Sequence, residues 1–213
     1  MPGTVNRPDF SEFLAHFTKD RVPISRARGN PTAHVVGDSA YERLVSILRS
    51  RRIIASRLPW TNMEAVCFTE CPWGSLLDHA RRYSPFGIGF KKPLVFAADG
   101  GPAFYVRSDL YGMQNWDNRL HVFTTPFWPP YRPPALRTNG VLGDRDVDYS
   151  HEREWRVPRD FAFEYSQIEF VILDTYDDMA RFPRGLKDQI GRDRFLLMEN
   201  YRQVERLWPV HRL

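Results

Sequence analysis

The sequence predicts an α+β domain in which a mixed, mostly antiparallel sheet is flanked by helices. Three observations lead there. Segments of strand character alternate with segments bearing a helical apolar stripe, without internal repeat or low-complexity block. Several neighbouring strand segments leave no room for a crossover helix, so those strands must pair antiparallel. The 213 residues suit one domain with a substantial core that needs neither metal nor disulfide. We therefore expect a single domain over residues 1–213, carrying one long loop at about 108–150.

Each element has a local reason. An apolar opening at 10–17 is followed by residues 21–37, rich in turn formers and predicted as loop. Ser39-Ala40-Tyr41-Glu42 has the form of a capping box, and Tyr41, Leu44, Val45 and Leu48 follow at helical spacing, which predicts a helix. Ile53-Ile54-Ala55 and residues 65–69 read as short strands, while residues 74–83 carry the Leu76, Leu77, Ala80 stripe of a second helix. Gly87-Ile88-Gly89-Phe90 is a strand whose glycines leave room for another backbone or a ligand. A helical turn at 92–98 and a strand at 103–106 follow.

Residues 108–150 differ in character. They hold Trp116, Phe127 and Trp128, with prolines at 126, 129, 130, 133 and 134 that forbid continuous helix or central strand. A loop of this length in a compact domain is functional or disordered, and its aromatics argue for order. Those rings have two uses open to them, stacking on bases or plugging the edge of the core, the second being the default. Beyond the loop we expect strands at 154–157 and 168–173. A turn at Asp174, Asp177 and Asp178 then enters a helix, followed by a strand at 195–198 and a helix near 204–207.

Composition narrows the function classes. Hydrophobic content of 42% with 14% aromatics marks a globular chain, and no apolar run approaches a membrane span. Residues 1–20 lack a cationic start followed by an apolar block, so a soluble cytoplasmic protein without membrane association is expected. Cys67 and Cys71 stand in a C-x3-C spacing that suits neither a zinc knuckle nor a thioredoxin-type motif. No metal site is expected, since neither His-Glu-x-x-His nor His-x-x-Glu-His occurs, and there is no G-x-S-x-G elbow for serine hydrolase chemistry. Thirty basic residues against 26 acidic give a net charge of +4, compatible with nucleic acid without demanding it.

The most informative stretch is Tyr149-Ser150-His151-Glu152-Arg153-Glu154-Trp155-Arg156-Val157. On a strand, Glu152 and Glu154 point the same way. A strand with two carboxylates on one face suits the wall of a cleft better than a dry core, because an unpaired buried charge is costly. The alternative is a solvated edge strand with cross-strand Glu–Arg pairs. His16, between Phe13, Leu14 and Phe17, is open to a similar choice between a core histidine and a ligand. Gly87 and Gly89 fit no dinucleotide fingerprint, because Lys92 stands where the third glycine would be, and read as sheet-packing residues.

Several runs together carry a resemblance to known proteins. "VCFTECP", "SPFGIGFKK", "GGPAFYV" and "EREWR" occur in an order that resembles the AbiGi family of abortive-infection proteins, over roughly residues 39–173. Members of that family are described as antitoxins. More distantly, His16-Phe17-Thr18 before a capped helix, an aromatic strand ending in Cys71-Pro72, and Glu152-Arg153-Glu154-Trp155 are similar to DarT-type ADP-ribosyltransferases, toxins that modify nucleic-acid bases using NAD. The resemblance implies an ADP-ribosyltransferase-like split sheet with NAD as substrate. His16 would then hold the nicotinamide ribose and Thr18 would be a neighbouring NAD contact. Glu154 would be the catalytic acid, with Glu152 positioning or deprotonating the acceptor. Phe68 and Tyr83 compete for the aromatic near the nicotinamide. A pyrophosphate clamp would come from Arg51, Arg52, Arg81 or Arg82, with Arg51 carried as the candidate.

The physics fits these residue types. Breaking the nicotinamide–ribose bond builds positive charge on the ribose, which a carboxylate stabilises, and a second carboxylate accepts the proton of the attacking group. The expectation is an NAD-dependent ADP-ribosyltransferase, a toxin or effector of anti-phage defence acting on DNA, RNA or protein, with a cognate toxin or antitoxin partner. The alternative is a non-catalytic antitoxin or sensor that binds a partner protein, RNA or nucleotide.

Overall fold

A computed structural model describes residues 11–20, 39–70, 77, 79–81, 83–136 and 142–207. Phe10, the turn-rich segment 21–37, most of the helix expected at 74–83, Cys71 and Arg82 lie outside the described residues. Leu77, His79, Ala80 and Arg81 are helical. No helix among the described residues is long and apolar enough to cross a membrane.

The elements run β1 (Phe13–Phe17), α1 (Ala40–Ser50), β2 (Arg52–Ile53), β3 (Ser56–Arg57), β4 (Glu64–Thr69), β5 (Gly87–Lys91) and α2 (Lys92–Ala97). Next come β6 (Gly101–Pro102), β7 (Phe104–Arg107), α3 (Ser108–Tyr111), α4 (Asn118–His121) and β8 (Thr124–Phe127). The chain continues through β9 (Glu154–Val157), β10 (Phe161–Ala162), β11 (Phe170–Leu173), α5 (Tyr176–Arg181), α6 (Arg184–Ile190), β12 (Phe195–Leu197) and α7 (Met198–Leu207). This is the expected α+β architecture with a mixed, mostly antiparallel sheet.

The main sheet has the order β12-β11-β5-β1-β4-β9-β6, with β3 also on β4. Of its pairings, β11 with β12 is the parallel one. A parallel neighbour needs a crossover, and α5 and α6 supply it. The capping box of α1 forms as expected: the Ser39 hydroxyl accepts from the Glu42 amide, and the Glu42 carboxylate accepts from the Ser39 amide. Leu44, Val45 and Leu48 turn inward onto a core that also holds Leu14, Phe68, Phe90 and Phe161. The opposite face of the sheet is covered by a smaller cluster including Phe17, Ala80, Ile172 and Met198.

Residues 108–150 carry only short elements within the loop, as expected, and one of them, β8, pairs in parallel with β7 across the turns of α3 and α4. Trp128 takes the default role for a loop aromatic. It is 2% exposed, exchanges two backbone hydrogen bonds with Val147, donates its indole N–H to Gly143 O at 2.8 Å, and packs with Leu142.

Gly89 pairs with Ala15 on one side and Phe170 on the other. A Cβ at Gly89 would stand 2.2 Å from the Phe170 ring, so the strand needs glycine there to let that ring lie across it. We expect Gly89→Ala to cost about 1–3 kcal/mol in urea denaturation, with Phe170→Leu in the same chain recovering part of the loss.

Candidate functional site

The site begins where the sheet opens. β1 pairs with β5 along its whole length, Phe13 opposite Lys91 through Phe17 opposite Gly87. With β4 it shares a single register pair, Ala15 opposite Thr69. One residue past that pair, the His16 imidazole takes up a β4 carbonyl: its Nδ1–H donates to Cys67 O at 2.8 Å. Because the partner is a carbonyl, Nδ1 must carry the proton, and the neutral ring presents Nε2 as an acceptor. Burial holds the His16 pKa below its ordinary value, with the charge of Arg43 acting in the same direction. A cleft of about 570 Å³ lies at this divergence, with walls that include His16, Tyr83, Glu152, Glu154 and Arg156.

The paired carboxylates reach the cleft, but not by the expected route. Strand β9 starts at Glu154, and Glu152 closes a short 3₁₀ turn, Ser150–Glu152. Between them Arg153 adopts the left-handed conformation, φ 44°, which is strained for a residue with a side chain. The end of β4 holds the turn in place. The Thr69 hydroxyl donates to Glu152 O at 2.5 Å, and the Glu70 amide donates to Arg153 O at 3.3 Å. Glu70 is itself buried, paired with Lys92 at 2.8 Å and accepting from the Ser11 amide.

The edge-strand alternative fails, because β9 lies between β4 and β6. A Glu–Arg pair does exist, along the strand rather than across it. Arg156, 2% exposed, donates Nε–H to Glu154 Oε1 at 3.0 Å and an Nη2–H to Glu154 Oε2 at 2.7 Å. Its second Nη2–H goes to Thr125 Oγ1 at 2.6 Å, and the Nη1 hydrogens go to Val122 O and Thr124 O, both at 2.9 Å. All five guanidinium donors are thus matched. Glu154 is oriented in the plane of that fork, and its side chain remains 15% exposed toward the cleft.

Glu152 accepts from the Tyr83 hydroxyl at 2.5 Å with its side chain 11% exposed. Burial raises its carboxyl pKa, with Glu154 pushing the same way and Tyr83, His151 and Lys19 opposing. Tyr83 and Tyr105 are both held well above the ordinary phenol range, chiefly by burial and then by the nearby carboxylates. Tyr105 fixes the approach to the turn, its hydroxyl donating to Tyr149 O at 2.8 Å.

The remaining expected site residues divide. Phe68 borders the cleft, but it is 2% exposed and packed edge-on against Phe161, Phe90 and His16, so most of its ring is taken up by the core. The Tyr83 ring is stacked on His79 at 4.4 Å and carries Lys19 Nζ 3.7 Å from its centroid. Two groups that close must occupy opposite faces, so Tyr83 presents its hydroxyl edge, and neither expected aromatic has a ring face open to a nicotinamide. Thr18 lines the cleft, but its single hydroxyl proton is donated to Ala40 O at 2.7 Å, with Phe86 O at 3.2 Å beside it. Arg51 is not brought there: it caps α1 in the left-handed conformation and pairs with Glu164 at 2.5 Å. Arg52, another of the expected clamp candidates, does line the cleft, together with Arg43 and Arg57. Arg156, Lys19 and His79 went unrecognised in the sequence; the one available signal was Arg156 two residues beyond Glu154, on the same face of a strand.

Two outcomes follow. Arg156→Met leaves Glu154 without its partner in a half-buried place and should cost about 3–5 kcal/mol in urea denaturation, much of it recovered by adding Glu154→Met. For His16, the folded pKa lies below the ordinary 6.5 of the unfolded chain, so its contribution is complete above that value and is lost as pH falls through the folded pKa. His16→Asn, which keeps a donor for Cys67 O, should therefore flatten the fall in melting temperature below about pH 6.5. Comparison of the chain with family models, curated proteins and solved structures finds no match.

Proposed function

We propose that this protein is an NAD-dependent ADP-ribosyltransferase, acting as a toxin or effector in anti-phage defence with nucleic acid or protein as acceptor. The observation that carries the reading is that His16 and both glutamates of the Glu-Arg-Glu run meet at one cleft, at the point where β1 leaves β4. These residues lie far apart in sequence, and bringing them together is what a ribose-binding histidine and a catalytic carboxylate require.

In this mechanism the His16 Nε2 lone pair accepts a ribose hydroxyl, and its neutral tautomer is fixed in advance by Cys67 O. Glu154, held in one orientation by Arg156, stabilises the positive charge that develops on the ribose as nicotinamide departs. Glu152, whose burial makes it a better proton acceptor than an exposed carboxylate, takes the proton of the incoming nucleophile. Lys19, Arg43, Arg52 and Arg57 give the cleft a cationic lining suited to a pyrophosphate.

A second reading, a non-catalytic antitoxin or sensor, is favoured by two observations: Glu154 is already engaged by Arg156, and neither Phe68 nor Tyr83 offers an open ring face. Nicotinamide release from NAD separates the two. The transferase should release it, and Glu154→Gln should slow release by about 10²–10³-fold with folding checked by thermal melting. Expression of the wild type in a bacterial host should be toxic and the variant should not. Absence of both NAD binding and turnover would overturn the transferase reading and favour the second.

A further inference from the structure

We propose that Tyr83 is itself an acceptor, its phenol attacking the ribose C1′ of NAD in the cleft while Glu152 takes the phenolic proton; the inference rests on the transferase reading above. Tyr83 and Glu152 have the arrangement of an activated nucleophile and its base. The hydroxyl lies 2.5 Å from Glu152 Oε1, and both residues line the cleft that holds His16 and Glu154. The base is oriented in turn, its backbone carbonyl fixed by the Thr69 hydroxyl and His151 Nε2 standing 4.0 Å from its carboxylate.

The ring cannot serve as a stacking platform, since His79 covers one face and Lys19 the other. What remains to act is the hydroxyl. Any acceptor seeking Glu152 must displace this phenol, and without one the phenol is the hydroxyl already in place.

The step balances. The nicotinamide–C1′ bond breaks with its electron pair passing to the ring nitrogen, so neutral nicotinamide leaves. A lone pair on Tyr83 Oη forms the new bond to C1′, and the phenolic proton passes to Glu152. The product is a phenolic O-glycoside of ADP-ribose. Burial keeps the phenol protonated until the electrophile forms, so proton loss accompanies attack rather than preceding it.

The test is incubation of the full chain with NAD labelled on its adenylate, with no added acceptor, reading nicotinamide release, intact mass and a peptide map. The expected result is a burst of nicotinamide stoichiometric with the chain and one ADP-ribose on the peptide containing Tyr83, stable to neutral hydroxylamine. Tyr83→Phe keeps the ring between His79 and Lys19 and should lose both burst and label. Glu152→Gln, which keeps the turn's backbone contacts, should lose them as well. Nicotinamide release without label on the chain, label that persists in Tyr83→Phe, or label removed by hydroxylamine and hence carried on a carboxylate or a guanidinium would each overturn the inference while leaving the transferase standing. Absence of nicotinamide release from the wild type would overturn both.

Discussion

The structure around the cleft depends on the contact between the buried guanidinium of Arg156 and the carboxylate of Glu154. A guanidinium removed from water is tolerable only when its donors are matched, because each unmatched donor in the interior carries a desolvation penalty of about 1–3 kcal/mol or more. Here all five are matched, and the acceptors come from different parts of the chain: Glu154 on β9, Val122 at the end of α4, and Thr124 and Thr125 at the start of β8. The contact therefore does more than orient a carboxylate. It joins the small β7–β8 pair, which lies outside the main sheet, to the strand that carries Glu154.

A second constraint is the unequal pairing of β1. Five consecutive pairs bind it to β5, but one pair binds it to β4, so on its second side β1 diverges. A diverging strand leaves backbone carbonyls without ladder partners, and buried carbonyls of that kind are costly. His16 meets the cost at Cys67, placing an imidazole in a fixed tautomer at the mouth of the opening. The same geometry that satisfies the backbone thus creates the chemical feature.

The turn between the two glutamates shows how local strain is sustained. The left-handed backbone at Arg153 is unfavourable by itself, and it persists because Thr69 holds the Glu152 carbonyl and Glu70 holds the carbonyl of Arg153 itself. Glu70 is in turn fixed by Lys92, which also lies 5.7 Å from the Trp155 ring. Charges of opposite sign are interleaved through the site, Lys19 near Glu152, Arg156 on Glu154 and Lys92 on Glu70. Two carboxylates can therefore be held close together in a largely buried place.

The fold was legible in the sequence wherever a local rule is strong. The capping box at Ser39 and Glu42, the 3.6-residue stripe of α1 and the sheet-packing glycine Gly89 under Phe170 took the form expected of them, because each depends on neighbours a few residues away or on the absence of a side chain. The carboxylates were legible as a pair, and their exit into a cleft agreed with the cost of burying them. What the sequence could not decide was how they arrive there, since a strand and a 3₁₀ turn with one left-handed residue aim Glu152 and Glu154 alike. Nor could it decide that Arg51 would turn away to Glu164, that both faces of Tyr83 would be covered, or that Arg156 would find acceptors more than 30 residues away. Those outcomes depend on which backbone carbonyls and ring faces meet after the strands have paired, and register between distant segments is a property of the folded chain rather than of any window of its sequence.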